Sequence, residues 1–121
     1  MSYRLLVGAE DDIDRILLQS AREWGIEAAG RYDQLMRAVF AVVGASPTLP
    51  GSRQVSTVVG VRAYPLRLGR RLVDLEQRVG RPRHIVIYRL GRDGMVEIIG
   101  VAHDRMLLAR AARRMRRAAD G

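Results

Sequence analysis

The sequence predicts an α+β fold, with an N-terminal strand, a helical hairpin packed on an antiparallel β-sheet, and a C-terminal helix. Three observations lead to this prediction. Apolar residues recur at helical spacing on both sides of Gly25, β-branched runs follow in the second half of the chain, and helical spacing returns after His103-Asp104. The chain has 121 residues and no internal repeat, so residues 1–121 are expected to form a single domain.

The first two elements are a strand and a helix. Residues 3–7 alternate as a strand does, and Gly8 ends them. Apolar residues at helical spacing then continue to Trp24, which this spacing places at a packing position. Gly25 can adopt the left-handed conformation that ends a helix. Acidic residues crowd the expected N-terminus of the helix, where they complement its dipole: Glu10, Asp11, Asp12 and Asp14.

A second helix is predicted over residues 27–43, because apolar residues recur three and four apart and Gly44 follows. Tyr32 lies on this apolar stripe and is interpreted as a packing residue. Since little more than Gly25 joins the two helices, they must fold back as a hairpin. Residues 46–51 are predicted to form a loop, because Pro and Gly interrupt regular structure there.

The remaining elements are mostly strands. Residues 58–68 are rich in β-branched residues, although Pro65 indicates a sheet edge or a bulge. Residues 69–81 are irregular and Arg-rich, which indicates a short helix or a folded loop. Residues 84–90 form a strong strand pattern, and an Arg-Asp-Gly turn connects them to a returning strand at 95–101. In the tail, an apolar stripe among many Arg side chains predicts the last helix.

Positive charge is the most prominent feature of the composition. The chain has 21 basic residues against 13 acidic ones and a net charge of +8. All of these basic residues are Arg, whose planar guanidinium suits carboxylates and phosphates. Residues 1–33 hold four Arg and seven acids, whereas residues 34–121 hold 17 Arg and six acids. The second half is therefore expected to build a basic surface that faces an acidic protein or a nucleic acid.

The composition also excludes several classes of protein. Without Cys, disulfide scaffolds, cysteine nucleophiles and thiolate zinc sites are ruled out. His84 and His103 form no HExxH-type motif, and consecutive acids point around a helix, so no metal and no cofactor are expected. One Trp, four Tyr and one Phe are too few for the interleaved aromatic and basic surface of single-strand binding proteins. The chain has no apolar run long enough to span a membrane, and Met1 precedes a strand pattern rather than a signal peptide, so the cytoplasm is the expected location.

Four segments of the chain, in their order and spacing, carry a family resemblance. They are Trp24-Gly25 followed by Ala28-Ala29, Tyr32 and Leu35; Gly60-Val61-Arg62; residues 83–89; and residues 96–106, a hydrophobic strand that runs into His-Asp-Arg-Met. Together they resemble the RelE/ParE superfamily of bacterial type II toxin–antitoxin toxins, and most closely its ParE branch. The last segment is the most specific of the four.

The resemblance implies a small cytoplasmic toxin that is neutralised by a cognate antitoxin and forms a hetero-oligomer with it. ParE-like toxins poison DNA gyrase, whereas RelE-like toxins cleave mRNA on the ribosome. The shared fold cannot decide between these activities, so the residues must.

The residues favour the ParE branch. RelE-like nucleases typically carry an Arg three residues before the Tyr of the central strand, and here Ile85 holds that position relative to Tyr88. The tail after Met106 has no Tyr or His, and the chain has no Lys. We therefore expect a gyrase-inhibiting binding protein rather than an enzyme. The alternatives are a ribosome-dependent mRNA endonuclease and a degenerate toxin that retains only antitoxin binding.

Basic residues are the candidate site in either case. The surface that binds the antitoxin or the target is expected to contain Arg62, Arg83, Arg89, Arg105, Arg110, Arg113 and Arg114. No catalytic residue is expected for a gyrase inhibitor, but a nuclease would use Arg62, Arg83, His103 and Arg105. Three of the candidates also have non-catalytic interpretations: His103, at a strand end, as a hydrogen-bonded structural residue, and Arg105 and Arg110 as solvated or antitoxin-facing residues. Tyr88 is interpreted as a packing residue of its strand.

Overall fold

The computed structural model describes residues 3–121, so Met1 and Ser2 lie outside the described residues. Its strands and helices follow one another as β1 (Tyr3–Leu5), α1 (Val7–Trp24), α2 (Ile26–Ala45), β2 (Arg53–Gln54), β3 (Val61–Pro65), β4 (His84–Leu90), β5 (Val96–His103) and α3 (Leu108–Asp120). Two 3₁₀ helices, Leu66–Leu72 and Leu75–Gln77, lie between β3 and β4. This order confirms the predicted α+β class, with its helical hairpin and C-terminal helix.

The strands form one mixed sheet in the order β1-β5-β4-β3-β2. Strands β2 to β5 are antiparallel neighbours, as the sequence predicts. Strand β1 runs parallel to β5, with Tyr3 opposite Val96 and Leu5 opposite Ile98. The parallel edge is possible because the whole chain between β1 and β5 serves as the crossover connection.

The helical hairpin covers one face of the sheet. Gly25 joins its helices with φ of +96°, a conformation that favours glycine, and donates its N–H to the Ala21 carbonyl. The buried side chains of this layer come from both helices and from alternating strand positions: Ala9, Ile13, Leu35, Met36, Val39, Phe40, Val43, Tyr64, Leu66, Val86, Tyr88, Val96, Ile98 and Val101. Burial of this apolar surface is the main force that holds the hairpin on the sheet.

Helix α3 covers the opposite face. Its buried residues Ala111, Ala112 and Met115 pack on a second apolar cluster, which includes Val61, Ile87 and Ile99 among its strand residues. Small side chains on α3 allow a close approach to the sheet. The sheet is therefore a middle layer between the hairpin and α3.

A β-bulge interrupts the pairing of β4 with β5. Tyr88 lies opposite Ile98, but Ile87 lies opposite Gly100, so Ile99 is an extra residue in β5. The register shifts by one residue beyond the bulge. As a result, His84 at the start of β4 lies opposite His103 at the end of β5.

Helix α1 covers the edge of β5 that β1 leaves unpaired. Strand β1 ends at Leu5, and the Asp12 carboxylate in α1 accepts the backbone N–H of Val101 at 2.9 Å. Asp12 also forms an ion pair with Arg15. A buried backbone donor needs such a partner, which gives one member of the acidic cluster a structural role.

Three local predictions were wrong. Val7 begins α1 instead of ending β1, because the Leu6 carbonyl accepts a hydrogen bond from the Glu10 N–H and so starts the helix. The Val7 side chain is exposed. Trp24 is not a packing residue: it is the last residue of α1, beyond the stripe that faces the sheet, and 75% of it is exposed. Residues 58–60 form a turn, so the strand predicted from residue 58 begins at Val61.

Two other predictions were correct. Strand β2 pairs with β3 only as far as Ala63, so the side of β3 that faces away from β4 is an open sheet edge at Pro65, as the sequence indicates. The segment predicted as a short helix or folded loop holds most of the first 3₁₀ helix and all of the second.

Candidate functional site

A groove lies between the helical hairpin and the end of the sheet where β4 begins and β5 ends. It has a volume of about 790 Å³ and walls formed by α1, α2 and residues 78–81. The residues that give the groove its chemistry are Glu23, Trp24, Arg31, Tyr32, Arg78, Arg81, Arg83, His84, His103 and Arg105. We call this surface the basic groove.

Two histidines lie side by side in the basic groove. His84 and His103 are opposite each other across β4 and β5, and their ring centroids are 5.1 Å apart in an edge-to-face arrangement. The β-bulge accounts for this placement, because it shifts the register that would otherwise pair His84 with Ala102.

A chain of hydrogen bonds fixes His84. The backbone N–H of Arg83 donates to the Tyr32 hydroxyl at 3.2 Å, and that hydroxyl lies 2.6 Å from Nδ1 of His84. The Tyr32 oxygen accepts a hydrogen bond from the Arg83 N–H, and its own O–H donates to Nδ1 in the His84 tautomer that carries its proton on Nε2.

Burial disfavours the charged forms of both His84 and Tyr32, and the pKa of each group shifts accordingly. Burial and, to a lesser extent, the neighbouring His103 lower the pKa of His84 to about 4, against the opposing effect of Asp104. Burial also raises the pKa of the Tyr32 hydroxyl to about 12. At neutral pH, His84 and Tyr32 are therefore both uncharged hydrogen-bonding groups.

One lining residue of the basic groove, Arg83, forms an ion pair with Asp104. The Arg83 guanidinium donates to Asp104 at 2.8 Å, and this hydrogen bond holds the pKa of the Asp104 carboxyl below its usual range. Nδ1 of His103 lies 3.2 Å from the same carboxylate and 3.1 Å from the backbone N–H of Arg105. Both contacts of His103 Nδ1 are thus made by the two residues that directly follow it in the chain.

The other Arg residues of the basic groove have no counter-charge. Arg31, Arg78, Arg81 and Arg105 form no ion pair with any residue between 3 and 121. Among the groove's described lining residues, Glu23 is the one carboxylate, and it accepts a hydrogen bond from Gln19. The arrangement therefore suits an anionic ligand.

Arg62 lies away from this cluster. It is opposite Tyr88, four residues further along β4 than His84, which corresponds to about 13 Å. Its Nε donates to Ser52 Oγ at 2.8 Å, and a terminal nitrogen donates to the Ser52 carbonyl at 3.2 Å. Arg62 holds the loop before β2 against the sheet.

Tyr88 supports the same loop from the buried side. Its side chain is fully buried, as expected of a packing residue, and its hydroxyl donates to the Pro47 carbonyl at 2.6 Å. Ser52 Oγ lies within hydrogen-bonding distance of the same hydroxyl.

Arg89 belongs to an ion-pair network at the other end of the sheet. It contacts Glu97 at 2.8 Å and Asp120 of α3 at 2.7 Å, while Arg4 contacts Glu97 at 3.1 Å and Asp93 at 3.0 Å. The hydrogen bond from Arg89 holds the pKa of the Glu97 carboxyl below its usual range. These contacts tie β1, β4, β5 and α3 together.

The three predicted residues of α3 lie on its solvent side. Arg110, Arg113 and Arg114 are exposed, and Arg113 donates to the Thr57 hydroxyl at 2.9 Å. A shallow cleft of about 470 Å³ is formed by Arg113, Arg116, Arg117 and the chain end. The structure thus brings Arg83, His103 and Arg105 together and places the other predicted residues elsewhere.

The sequence prediction missed Arg31, Arg78, Arg81 and His84 as parts of the site, and it assigned Trp24 and Tyr32 to packing. Tyr32 does pack on the core, but its hydroxyl also takes part in the site. A register count from the hairpin turn would have placed His84 next to the end of β5. No local signal in the sequence shows that residues 78–81 fold over the hairpin.

Residues 3–121 contain neither a metal-binding cluster nor a membrane-spanning helix. No group of three or more His, Cys, Asp or Glu residues is arranged to hold a metal ion in this part of the chain. Among the described helices, none is both long enough and apolar enough to cross a membrane.

The fold and the basic groove define a small α+β protein with a cationic groove beside its helical hairpin. Residues 3–108 match the family model of the ParE toxin of the type II toxin–antitoxin system parDE. The chain belongs to this family, which confirms the predicted superfamily and branch. A comparison with curated proteins gives no match. As a toxin of a toxin–antitoxin system, the protein has a cognate antitoxin implied by its family.

Proposed function

We propose that this toxin inhibits DNA gyrase in the cytoplasm, stabilises gyrase's cleaved-DNA state, and is neutralised by its cognate antitoxin. The observation that carries the proposal is the match of residues 3–108 to the ParE toxin family, since ParE-like toxins are gyrase poisons. In this proposal the protein acts by binding, and it needs no catalytic residue.

The structure narrows the residues that are suited to binding the target or the antitoxin. Arg62 and Arg89 are engaged within the fold, by Ser52 and by two carboxylates respectively. Arg105, Arg110 and Arg114 are exposed and have no ion pair within residues 3–121. We assign the protein-binding role to Arg110 and Arg114 of α3, since Arg105 lines the basic groove. An acidic partner segment would pair with them and be steered by the positive charge of the second half of the chain.

A supercoiling and cleavage assay with purified gyrase tests this proposal. We expect loss of supercoiling together with accumulation of cleaved DNA, and we expect prior addition of the cognate antitoxin to prevent both. The double variant Arg110→Ala, Arg114→Ala should require about tenfold more protein for the same effect, because two exposed charges are lost from the contact surface. The matched control is Arg67→Ala, Arg71→Ala, which removes the same charge from the first 3₁₀ helix.

An absence of any effect on gyrase at large molar excess would contradict the proposal. Equal loss of inhibition in the control pair would contradict the assignment to α3.

The second candidate function is a ribosome-dependent mRNA endonuclease. The observation that favours it is the meeting of Arg83, His103 and Arg105 in the basic groove. Against it, Arg62 is held by Ser52, and Ile85 occupies the position where RelE-like nucleases carry an Arg. Cleavage of ribosome-bound mRNA that is abolished by Arg83→Ala, without any effect on gyrase, would establish it. If neither activity is found but the antitoxin still binds, the protein is a degenerate toxin.

A further inference from the structure

The basic groove contains more positive charge than the protein itself neutralises. Five Arg side chains line it against one carboxylate, and of these five only Arg83 has an ion pair within residues 3–121. Like charges that share one groove repel one another, and an anion bound among them would relieve that repulsion.

An exposed aromatic ring lies at the border of this charged cluster. Trp24 lines the basic groove at the tip of the hairpin, and it is the single Trp of the chain. Three quarters of its surface is accessible, so its indole contributes little to the core. Exposed indole faces next to Arg side chains are the combination with which proteins hold a base and its phosphate.

We propose that the basic groove is a nucleotide-binding site in which the Arg side chains hold the phosphates and the indole of Trp24 stacks on the base. Arg78, Arg81 and Arg105 supply the unpaired guanidinium groups for the phosphates. The neutral His84 ring and the ring of His103 lie among them as further hydrogen-bonding groups. This proposal does not depend on the action on gyrase, because it concerns the isolated protein.

The size of the groove agrees with a ligand of this class. A volume of about 790 Å³ is within the range of clefts that bind small molecules and cofactors. Trp24 is exposed to solvent at the border of the groove, so a base within a single nucleic-acid strand can reach its indole as well as a free nucleotide can. Both sources offer the same chemistry, namely an aromatic base joined to phosphate.

An acidic peptide would use only part of this arrangement. Carboxylates can pair with the guanidinium groups, but a peptide of Asp and Glu offers no aromatic face to the indole. A nucleotide uses both features at once, which is the reason for preferring it.

Intrinsic fluorescence provides a direct measurement, because the single Trp lies at the site. We expect titration of the isolated protein with ATP to quench Trp24 emission in a saturable manner. The affinity should fall as salt concentration rises, since the phosphate contacts are ionic. Tripolyphosphate, which has the charge without the base, is expected to bind about tenfold more weakly than ATP.

Variants measured by calorimetry separate the two contributions. Trp24→Ala should weaken ATP binding about tenfold, while Trp24→Phe, which keeps an aromatic ring, should retain most of the affinity. Arg81→Ala, Arg105→Ala should weaken it by about 10- to 100-fold. The matched control Arg67→Ala, Arg71→Ala removes equal charge outside the groove and should bind ATP as the unaltered protein does. Each of these residues is exposed, so the variants are expected to fold.

Four results would overturn the proposal. They are the absence of quenching by both ATP and a short oligothymidylate, equal binding of tripolyphosphate and ATP, equal quenching by polyglutamate, and an equal loss of ATP affinity in the control pair. Tighter binding of oligothymidylate than of ATP, with the same sensitivity to Trp24→Ala, would support the site and identify a single strand as the source of the nucleotide.

Discussion

At the scale of single residues, burial keeps the His84 ring neutral where it contacts the Tyr32 hydroxyl. The short contact of 2.6 Å is available only to an unprotonated Nδ1 when the Tyr32 hydroxyl is the donor. Protonation of His84 would oppose this hydrogen bond and place a charge beside the other cationic groups of the basic groove. Burial and the neighbouring His103 both lower the pKa of His84, to about 4.

This shift predicts a loss of stability in mildly acidic solution. The unfolded chain protonates His84 near pH 6.5, whereas the folded protein does so only near pH 4. The unfolded state therefore binds more protons between these values, and the free energy of unfolding falls as the pH is lowered through this window. We expect a decrease of about 1–2 kcal/mol between pH 7 and pH 5, measured by urea unfolding.

His84→Asn is the matched variant, because the Asn side-chain oxygen can accept a hydrogen bond from the Tyr32 hydroxyl and Asn does not titrate. Its free energy of unfolding should change much less over the same window. The Asp and Glu carboxyls with lowered pKa values lose their contributions only below about pH 4.5, so they do not obscure the test. A variant that follows the pH dependence of the unaltered protein would contradict the role assigned to His84.

At the scale of elements, regular spacing predicts where helices and strands lie, but not how their ends meet. The apolar stripe of α1 correctly predicts that Ile13 is buried, yet the same spacing places Trp24 in the core. Helical periodicity gives the direction of a side chain around the axis, and it does not indicate where the covering sheet ends. The aromatic residue of the candidate site was missed for this reason.

The pairing of the histidines was unpredictable for a related reason. The strands β4 and β5 and their turn were correctly predicted, and the turn alone would pair His84 with Ala102 and direct His103 to the opposite face. The β-bulge at Ile99 reverses that outcome. A bulge depends on tertiary packing around the extra residue, and nothing in the apolar run of β5 marks its position.

The contact of the first 3₁₀ helix with α2 yields a prediction at this scale. A Cβ atom on Gly69 would lie 2.5 Å from a methyl group of Val39, which is fully buried and branched at Cβ. We expect Gly69→Ala to lower the free energy of unfolding by about 1–2 kcal/mol, because neither backbone can yield easily. In a Val39→Ala background the same change should cost at least about 1 kcal/mol less.

The control for this prediction is Gly30→Ala in the second turn of α2, where the added methyl group meets no atom within 4 Å. There the substitution should raise the free energy of unfolding by about 0.5–1 kcal/mol, through the lower entropy of the unfolded chain. Equal effects at Gly69 and Gly30 in chemical denaturation would show that the contact with Val39 is not the cause.

At the scale of the whole molecule, the two faces of the sheet have separate roles. The hairpin supplies one wall of the basic groove, and α3 covers the other face with Ala111, Ala112 and Met115. The family match ends at residue 108, where α3 begins. Helix α3 supplies much of the positive charge and also covers the second apolar cluster. Its Arg side chains are exposed to solvent because its apolar side is the one that packs on the sheet.

The close packing of α3 on the sheet predicts that the stability of the fold depends on the Met115 side chain. Gly100 has no Cβ, and an atom there would lie within 3 Å of Met115, so the Met115 side chain fills the space over β5. Met115→Ala should lower the free energy of unfolding by about 2–3 kcal/mol, and the melting temperature by about 5–10 °C. Met106→Ala, a residue with an exposed side chain before α3, is the matched control and should melt within about 2 °C of the unaltered protein. If both Met variants melt at the same temperature, α3 is not an integral layer of the fold, and its Arg residues would have to be regarded as a separate arm.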